Sequence, residues 1–263
     1  MKTQSSFVLL AICAFFVFIS AKTSHTPYNY FIKFDDRLFV TRFEVTNNEY
    51  QNFLQYLKTS GKTEEFSKCM YDSTQWSKKF PQSFNQPTVD VYHWHPKYQN
   101  YPVVNITLEA AKLYCQWLTN NYNDNPKRSS NKVLMRLPTE REWEFFSKPL
   151  PGHNLPWFGS FAYEMKENKL MPKANIKVKN VVPASDNYSF DGAVFTNKVG
   201  SYQMNNSGLF DIIGNVSEMT NDGKQKGGSW DNYLDECTIE KTQNYILPDP
   251  RVGFRVVMEV LEN

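Results

Sequence analysis

Arg136-Leu137-Pro138-Thr139-Glu140-Arg141-Glu142-Trp143-Glu144 contains a helix start. Thr139 and Glu142 form a T-x-x-E capping box, in which hydroxyl and carboxylate satisfy amides that a first helical turn leaves open. Trp143 and Phe146 then share one face, which the helix should bury. The same tetrapeptide recurs at Thr46-Asn47-Asn48-Glu49. Tyr50, Phe53, Leu54 and Leu57 follow it at helical spacing, and Gly61 lies just beyond the end. Phe39 to Val45, ahead of that cap, reads as a strand. A further helix is expected from about Leu108 to Asn120, with Thr107 as its cap and Ala110, Ala111, Tyr114, Trp117 and Leu118 on its apolar face.

After Pro149 helical periodicity fades. Gly, Asn, Pro and Asp separate short apolar runs such as Ile176–Val182 and Phe254–Val260. That half should be loop-rich and tied by short strands. No repeat or linker divides the chain. Its 263 residues allow one or two domains, and one α+β domain low in regular secondary structure is the better reading. Aromatics at 16% argue against a disordered chain. The 29 basic and 27 acidic residues leave a net charge of +2 with no basic block, so no nucleic-acid partner is expected.

Lys2 precedes an apolar run from Phe7 to Ile19, which ends at Ser20 and Ala21. The run is shorter than the ~20 residues of a spanning helix, so residues 1–21 read as a secretory signal peptide, with a short uncleaved anchor as the alternative. Residues 22–263 then form one exported domain with no transmembrane segment, in the periplasm, cell envelope or medium. Cys13 follows Ile12 and does not fit a lipidation site. Cys69, Cys115 and Cys237 remain, so at most one disulfide can form. Such a domain depends on its core or on bound ions. His93 and His95 would share a strand face and could bind a metal, but no third ligand is apparent, and a loop histidine pair is the plainer reading.

Long loops usually need something to hold them. Gly208-Leu209-Phe210-Asp211-Ile212-Ile213-Gly214-Asn215-Val216-Ser217-Glu218 places two carboxylates around a Gly-Asn turn. Calcium accepts such mixed, irregular sets of carboxylate and carbonyl oxygens. Asp and Glu beside a turn are more often simply solvated.

Several segments, in order, resemble the formylglycine-generating enzyme (sulfatase-modifying factor) family. They are Arg42–Asn47 with Tyr50 and Phe53, Tyr101–Thr107 with Ala111, Tyr114, Cys115 and Trp117, Arg136–Glu144, Gly208–Glu218, Gly227-Gly228-Ser229-Trp230 and Gly253-Phe254-Arg255. The resemblance implies the formylglycine-generating-enzyme fold, which is C-type-lectin-like. It also implies two structural calcium sites. One uses the side chains of Asp211 and Glu218 with the carbonyls of Gly214 and Val216. The other uses the side chains of Asn175 and Asp191 with the carbonyls of Ile176 and Ala193. Without metal, the same loops would close by side-chain hydrogen bonds.

Copper-dependent members of that family oxidise a substrate cysteine to formylglycine through two cysteines five residues apart, since Cu(I) prefers thiolates. The matching positions here are Asn232 and Cys237. Cys237 is left as a lone soft ligand, or as an ordinary buried cysteine, which is the favoured reading. Copper is not expected, and no confident catalytic residue emerges. Iron-dependent branches need a histidine cluster that His25, His93, His95 and His153 do not supply. The details around His95–Val104 and Asn215–Trp230 look closest to envelope proteins of Bacteroidota, including gliding-motility and type IX secretion lipoproteins. The function expected is a calcium-stabilised binding or structural module of the cell envelope, whose partner is an unidentified envelope protein or peptide. The alternative is a divergent sulfatase-activating oxidoreductase using Cys237.

Overall fold

A computed structural model describes residues 30–79, 91–128, 131–148, 153–157, 159–179, 186–187 and 191–261. The expected signal peptide lies outside the described residues. Five helices are present among them: α1 (Asn47–Thr59), α2 (Thr63–Cys69), α3 (Gln75–Lys79), α4 (Leu108–Asn123) and α5 (Glu140–Ser147). Twelve short strands accompany them: β1 (Phe31–Lys33), β2 (Leu38–Thr41), β3 (Val133–Arg136), β4 (Tyr163–Lys166), β5 (Lys169–Pro172), β6 (Val178–Lys179), β7 (Asp186–Asn187), β8 (Ser217–Met219), β9 (Lys224–Lys226), β10 (Thr242–Asn244), β11 (Val252–Gly253) and β12 (Val257–Val260).

Both capping boxes form. Thr46 accepts from the Glu49 amide at 3.3 Å, and Glu49 accepts from the Thr46 amide at 2.8 Å. At α5 the reciprocal pair is Thr139 with Glu142, at 3.2 and 2.8 Å. Glu142 has a second task. It takes a two-pronged contact from Arg136 at 2.7 and 2.8 Å, and Arg136 also reaches Glu259, so the start of α5 is tied to β3 and β12. Thr107 caps α4 through the Ala110 amide at 3.0 Å. The helix runs three residues further than its apolar pattern implied.

β1, β2, β12 and β3 make an antiparallel sheet in that order. Its pleat separates two apolar cores. Val133 and Met135 pack with Tyr50, Phe53, Leu57 and Tyr114 of α1 and α4 on one side. Leu38, Val40 and Val257 pack with Trp143, Phe146, Ile212 and Cys237 on the other. A second sheet, in the order β10-β9-β8-β11, is antiparallel except where β11 runs parallel to β8.

One strand expectation is corrected, and the two apolar runs each hold a short strand, as a half tied by short strands implies. The strand expected over Phe39–Val45 ends at Thr41. The Thr41 hydroxyl donates to the Phe43 carbonyl at 2.9 Å, which turns the chain and sends Glu44 into the interior. Of the Phe254–Val260 run only Val257–Val260 is strand, because Arg255 points inward and interrupts the alternation. Of Ile176–Val182, the strand occupies Val178–Lys179, and residues 180–182 lie outside the described ones. Helices α2 and α3 were not anticipated. Each buries a single residue, Cys69 or Trp76, so neither has an apolar stripe to read.

Candidate functional site

Glu44, Asp211, Asn215, Glu218 and Arg255 are all buried. They come from the turn after β2, the loop before β8, β8 itself and the segment leading into β12. Arg255 is the centre. Its Nε donates to Glu218 Oε2 at 2.6 Å, and one Nη donates to the other Glu218 oxygen. The remaining donors reach the carbonyls of Thr41 at 3.1 Å, Arg42 at 3.3 Å and Phe210 at 2.9 Å. Glu218 Oε2 also accepts from the Trp143 indole at 2.7 Å. Burial works against the Arg255 charge, but Glu218, Glu44 and Asp211 outweigh it and raise its pKa.

Asn215 is the second hub. Its amide group donates to Glu44 Oε1 at 2.9 Å. Its oxygen accepts from the Asn197 backbone at 2.8 Å and from the Asn175 side chain at 3.2 Å. It holds a left-handed backbone, φ 54°, which Asn tolerates. Gly214 beside it has φ 73°, and a Cβ there would collide with the Asn175 carbonyl oxygen. The Gly-Asn pair is therefore required by close approach of two loops as well as by the turn.

The two ligand sets are consequently neighbours. Asp211 lies near enough to Glu218 for that charge to act on it. Asp211 Oδ2 accepts from the Gly200 amide at 2.5 Å, while Asp211 Oδ1 and Glu44 Oε2 are buried without a partner. Burial pushes the Asp211 carboxyl up to about 6, with Glu218 adding to the rise and Arg255 opposing it. Glu44 is raised well above the usual carboxylate range, first by burial and then by Asp211. Three carboxylates thus face one guanidinium. Orphaned carboxylate oxygens with excess negative charge fit a hard cation. Among the described residues no three His, Cys, Asp or Glu side chains form a ready ligand cluster. Carbonyls such as those of Gly214 and Val216 would have to complete the shell. Glu218, expected as a ligand, already spends both oxygens on Arg255 and Trp143.

In the second set, Asp191 accepts from the Ile176 amide at 2.7 Å and the Ala193 amide at 3.1 Å. Asn175 donates to the Phe195 carbonyl at 2.9 Å. These four residues do meet, and here the loop closes by hydrogen bonds. Burial pushes Asp191 up to about 6.

Asn232 does not face outward as a ligand. Its side-chain oxygen accepts from the Ser229 amide at 3.1 Å and the Ser229 hydroxyl at 2.8 Å. Cys237 is fully buried, and burial raises its thiol pKa. Gly228 leaves it room: a Cβ there would overlap the Cys237 sulfur. An open cleft of about 620 Å³ lies alongside, lined by Leu155, Phe161, Tyr163, Tyr233 and Leu234 among others. His93 and His95 diverge. His93 is buried against Tyr71 with its ring pKa pushed down to about 3 by burial, and its Nε2 donates to the Val104 carbonyl at 3.1 Å. His95 is exposed and caps a 3-10 turn. Cys69, Cys115 and Cys237 are all free.

The sequence reading missed Glu44 and Arg255 as site residues. Their signal was a single charge inside an apolar triplet, Phe43-Glu44-Val45 and Phe254-Arg255-Val256. Charges seldom sit in such surroundings unless buried and paired.

A loop-rich α+β fold pinned by this acid–guanidinium cluster belongs to the sulfatase-modifying factor enzyme 1-like domain family, whose model matches residues 22–260 of the chain. Its relatives include formylglycine-generating enzymes and proteins named as inactive ones. The formylglycine-generating enzyme of Mus musculus is 26% identical over 209 residues, covering 71% of this chain and 49% of the relative. The inactive C-alpha-formylglycine-generating enzyme 2 of Bos taurus is 24% identical over 221 residues, covering 73% of this chain and 65% of the relative. The chain spans about half the length of the formylglycine-generating enzymes it matches. PvdO from Pseudomonas aeruginosa shares the fold, with a TM-score of 0.53 at 18% identity over 85% of this chain and 80% of that one.

Proposed function

We propose that this domain is a non-catalytic, calcium-stabilised binding or structural module exported to the cell envelope. The observation that carries the reading is position 232. An asparagine whose side-chain oxygen is committed to Ser229 cannot provide a second thiolate for copper. Cys237 alone, buried and held as a thiol, behaves as a core residue. The residues present do not fit copper, and no oxidative step is derived. That a related protein carries the word inactive in its name is compatible with this reading.

Calcium is supported by the partnerless oxygens of Asp211 and Glu44. Asp211, with the Gly214 and Val216 carbonyls and the remaining lone pair of Glu218, would hold the ion. The ion would neutralise buried charge and fix the loop before β8. Export is supported by the apolar run of residues 7–19 and by a family match that starts at residue 22. The aromatic cleft beside Tyr233 offers a surface for an envelope protein or peptide.

Two measurements test this. Copper-loaded protein incubated in oxygen with a Cys-x-Pro-x-Arg peptide should leave the thiol intact by mass spectrometry; conversion to an aldehyde would refute the non-catalytic reading. Calcium at about 100 times its Kd should add roughly 3 kcal/mol of stability. For a domain of this size that raises Tm by about 5–10 °C over protein in chelator. Asp211→Asn should abolish the rise, and an unchanged Tm in the wild type removes calcium from the account.

A further inference from the structure

We propose that Glu44 supplies the second charged oxygen of the calcium site, through Oε2, so that the ion clamps the turn after β2 onto the loop before β8. The inference rests on the calcium reading above and adds a ligand from outside both implied sets. The backbones bring Glu44 and Asp211 together. The Phe210 amide donates to the Arg42 carbonyl at 3.0 Å, and the Phe43 and Phe210 rings stack with centroids 5.2 Å apart. The next residue of each segment is a carboxylate, and Asp211 lies close enough for its charge to act on Glu44. Both side chains are buried. Glu44 Oε1 accepts from the Asn215 side chain at 2.9 Å, and Asp211 Oδ2 accepts from the Gly200 amide at 2.5 Å. That leaves one oxygen on each, Glu44 Oε2 and Asp211 Oδ1, buried with no partner.

A buried acceptor left open costs free energy, and two open carboxylate oxygens in one cluster cost more. Charge says what belongs with them. Glu44, Asp211 and Glu218 against Arg255 leave a net of −2, which one divalent cation cancels. Glu218 meets Arg255 in a two-pronged contact, so the uncancelled charge lies with the other two carboxylates. Calcium takes the mixed, irregular shell of carboxylates and carbonyls that these loops provide. Asn215 is then a positioning residue: its grip on Oε1 fixes the Glu44 carboxylate and leaves Oε2 for the ion. The ion would reinforce that bond, which already joins positions 171 residues apart. The rival occupant is a proton on one carboxyl, shared with the other.

Calorimetric titration of the metal-stripped protein with calcium reads the affinity, and thermal unfolding in chelator reads the fold without the ion. Glu44→Gln should weaken calcium binding at least ~30-fold, since affinity follows the number of charged ligands. In chelator the same variant should melt no lower than the wild type. Its oxygen still accepts from Asn215, its N–H groups can donate to Asp211, and a buried, uncompensated charge is gone. A purely structural role would do the opposite, lowering the chelator Tm and leaving the affinity alone. Glu44→Asp keeps the charge but withdraws the oxygens by one carbon–carbon bond, ~1.5 Å. It should bind calcium about tenfold more weakly, and it serves if Glu44→Gln fails to fold. Glu164→Gln, the same change at an exposed residue, should bind as the wild type does. This inference alone fails if the wild type binds calcium and both Glu44 variants bind it within about threefold of that affinity. If the wild type binds none, the calcium reading falls and takes this inference with it, and the open oxygens share a proton.

Discussion

Arg255→Met should lower the unfolding free energy by about 3–5 kcal/mol, a large share of the 5–15 kcal/mol typical of a domain. The guanidinium is fully buried and has five hydrogen bonds, two to Glu218 and three to carbonyls of the turn after β2 and the loop at Phe210. Its loss leaves Glu218 with only the Trp143 indole and removes the positive charge that faces Glu44 and Asp211. Breaking a buried pair costs more than the pair is worth, because the abandoned charge stays buried. Arg255→Lys should fall between, since an ammonium keeps the charge but lacks the planar fork that spans both oxygens and the carbonyls. Arg255→Met with Glu218→Leu should be more stable than Arg255→Met alone, since both charges leave together. Urea unfolding of the wild type, Arg255→Met, Glu218→Leu and the double variant gives the coupling directly. A loss below about 1 kcal/mol for Arg255→Met would show that the pair does not hold these loops.

In chelator the protein should be more stable at pH 5 than at pH 8. Burial raises the Asp211 carboxyl from an ordinary 3.8 to about 6, so the folded state holds its proton more tightly than the unfolded chain does. Stability from such a group is complete below the unfolded value and is lost as pH rises through the folded one. The window for Asp211 is therefore roughly pH 4 to 6; the full loss is on the order of 3 kcal/mol, about half of it above pH 5. Glu44 is shifted the same way and extends the loss to higher pH. Asp191, also raised to about 6 by burial, adds to the loss, whereas His93 pulls oppositely: burial holds its ring down at about 3, so its contribution fades as pH falls below about 6.5. Saturating calcium should shrink the difference or reverse it, because the ion binds the ionised carboxylates and competes with the protons. Denaturant titrations from pH 5 to 8, with and without the ion, read this out. A flat profile in chelator would mean that the acid cluster is compensated by other groups.

The helices were largely legible because their information is local. A threonine, a glutamate three residues on and a stripe of aromatics stand within one turn or two, and Thr46, Thr107 and Thr139 cap as their spacing implied. The loops were not legible in this way. Asn215 bonds to Glu44 and Arg255 bonds to Thr41, each across most of the chain, and no periodicity encodes such meetings. The family resemblance brought Asp211 and Glu218 to the right region. It could not say that Glu218 also accepts from Arg255 and Trp143, because those partners come from distant parts of the chain. Asp191 likewise accepts from the amides of Ile176 and Ala193, contacts that no local pattern announced. His93 and His95 parted because their segment turns instead of extending, which puts one ring inside and one outside.

The position of β12 between β2 and β3 has a consequence for how the molecule is born. Val40 meets Val257, and Arg136 meets the same residue from the other side. While the polypeptide is still being made, the first sheet lacks its middle plank, and two apolar strand edges face an empty slot. Closing so long a loop is slow, because its entropy is lost before any contact repays it. Completion of the sheet must wait until residues 257–260 have been made. Until then the growing chain exposes open edges to its neighbours, the period in which a holdase has most to protect.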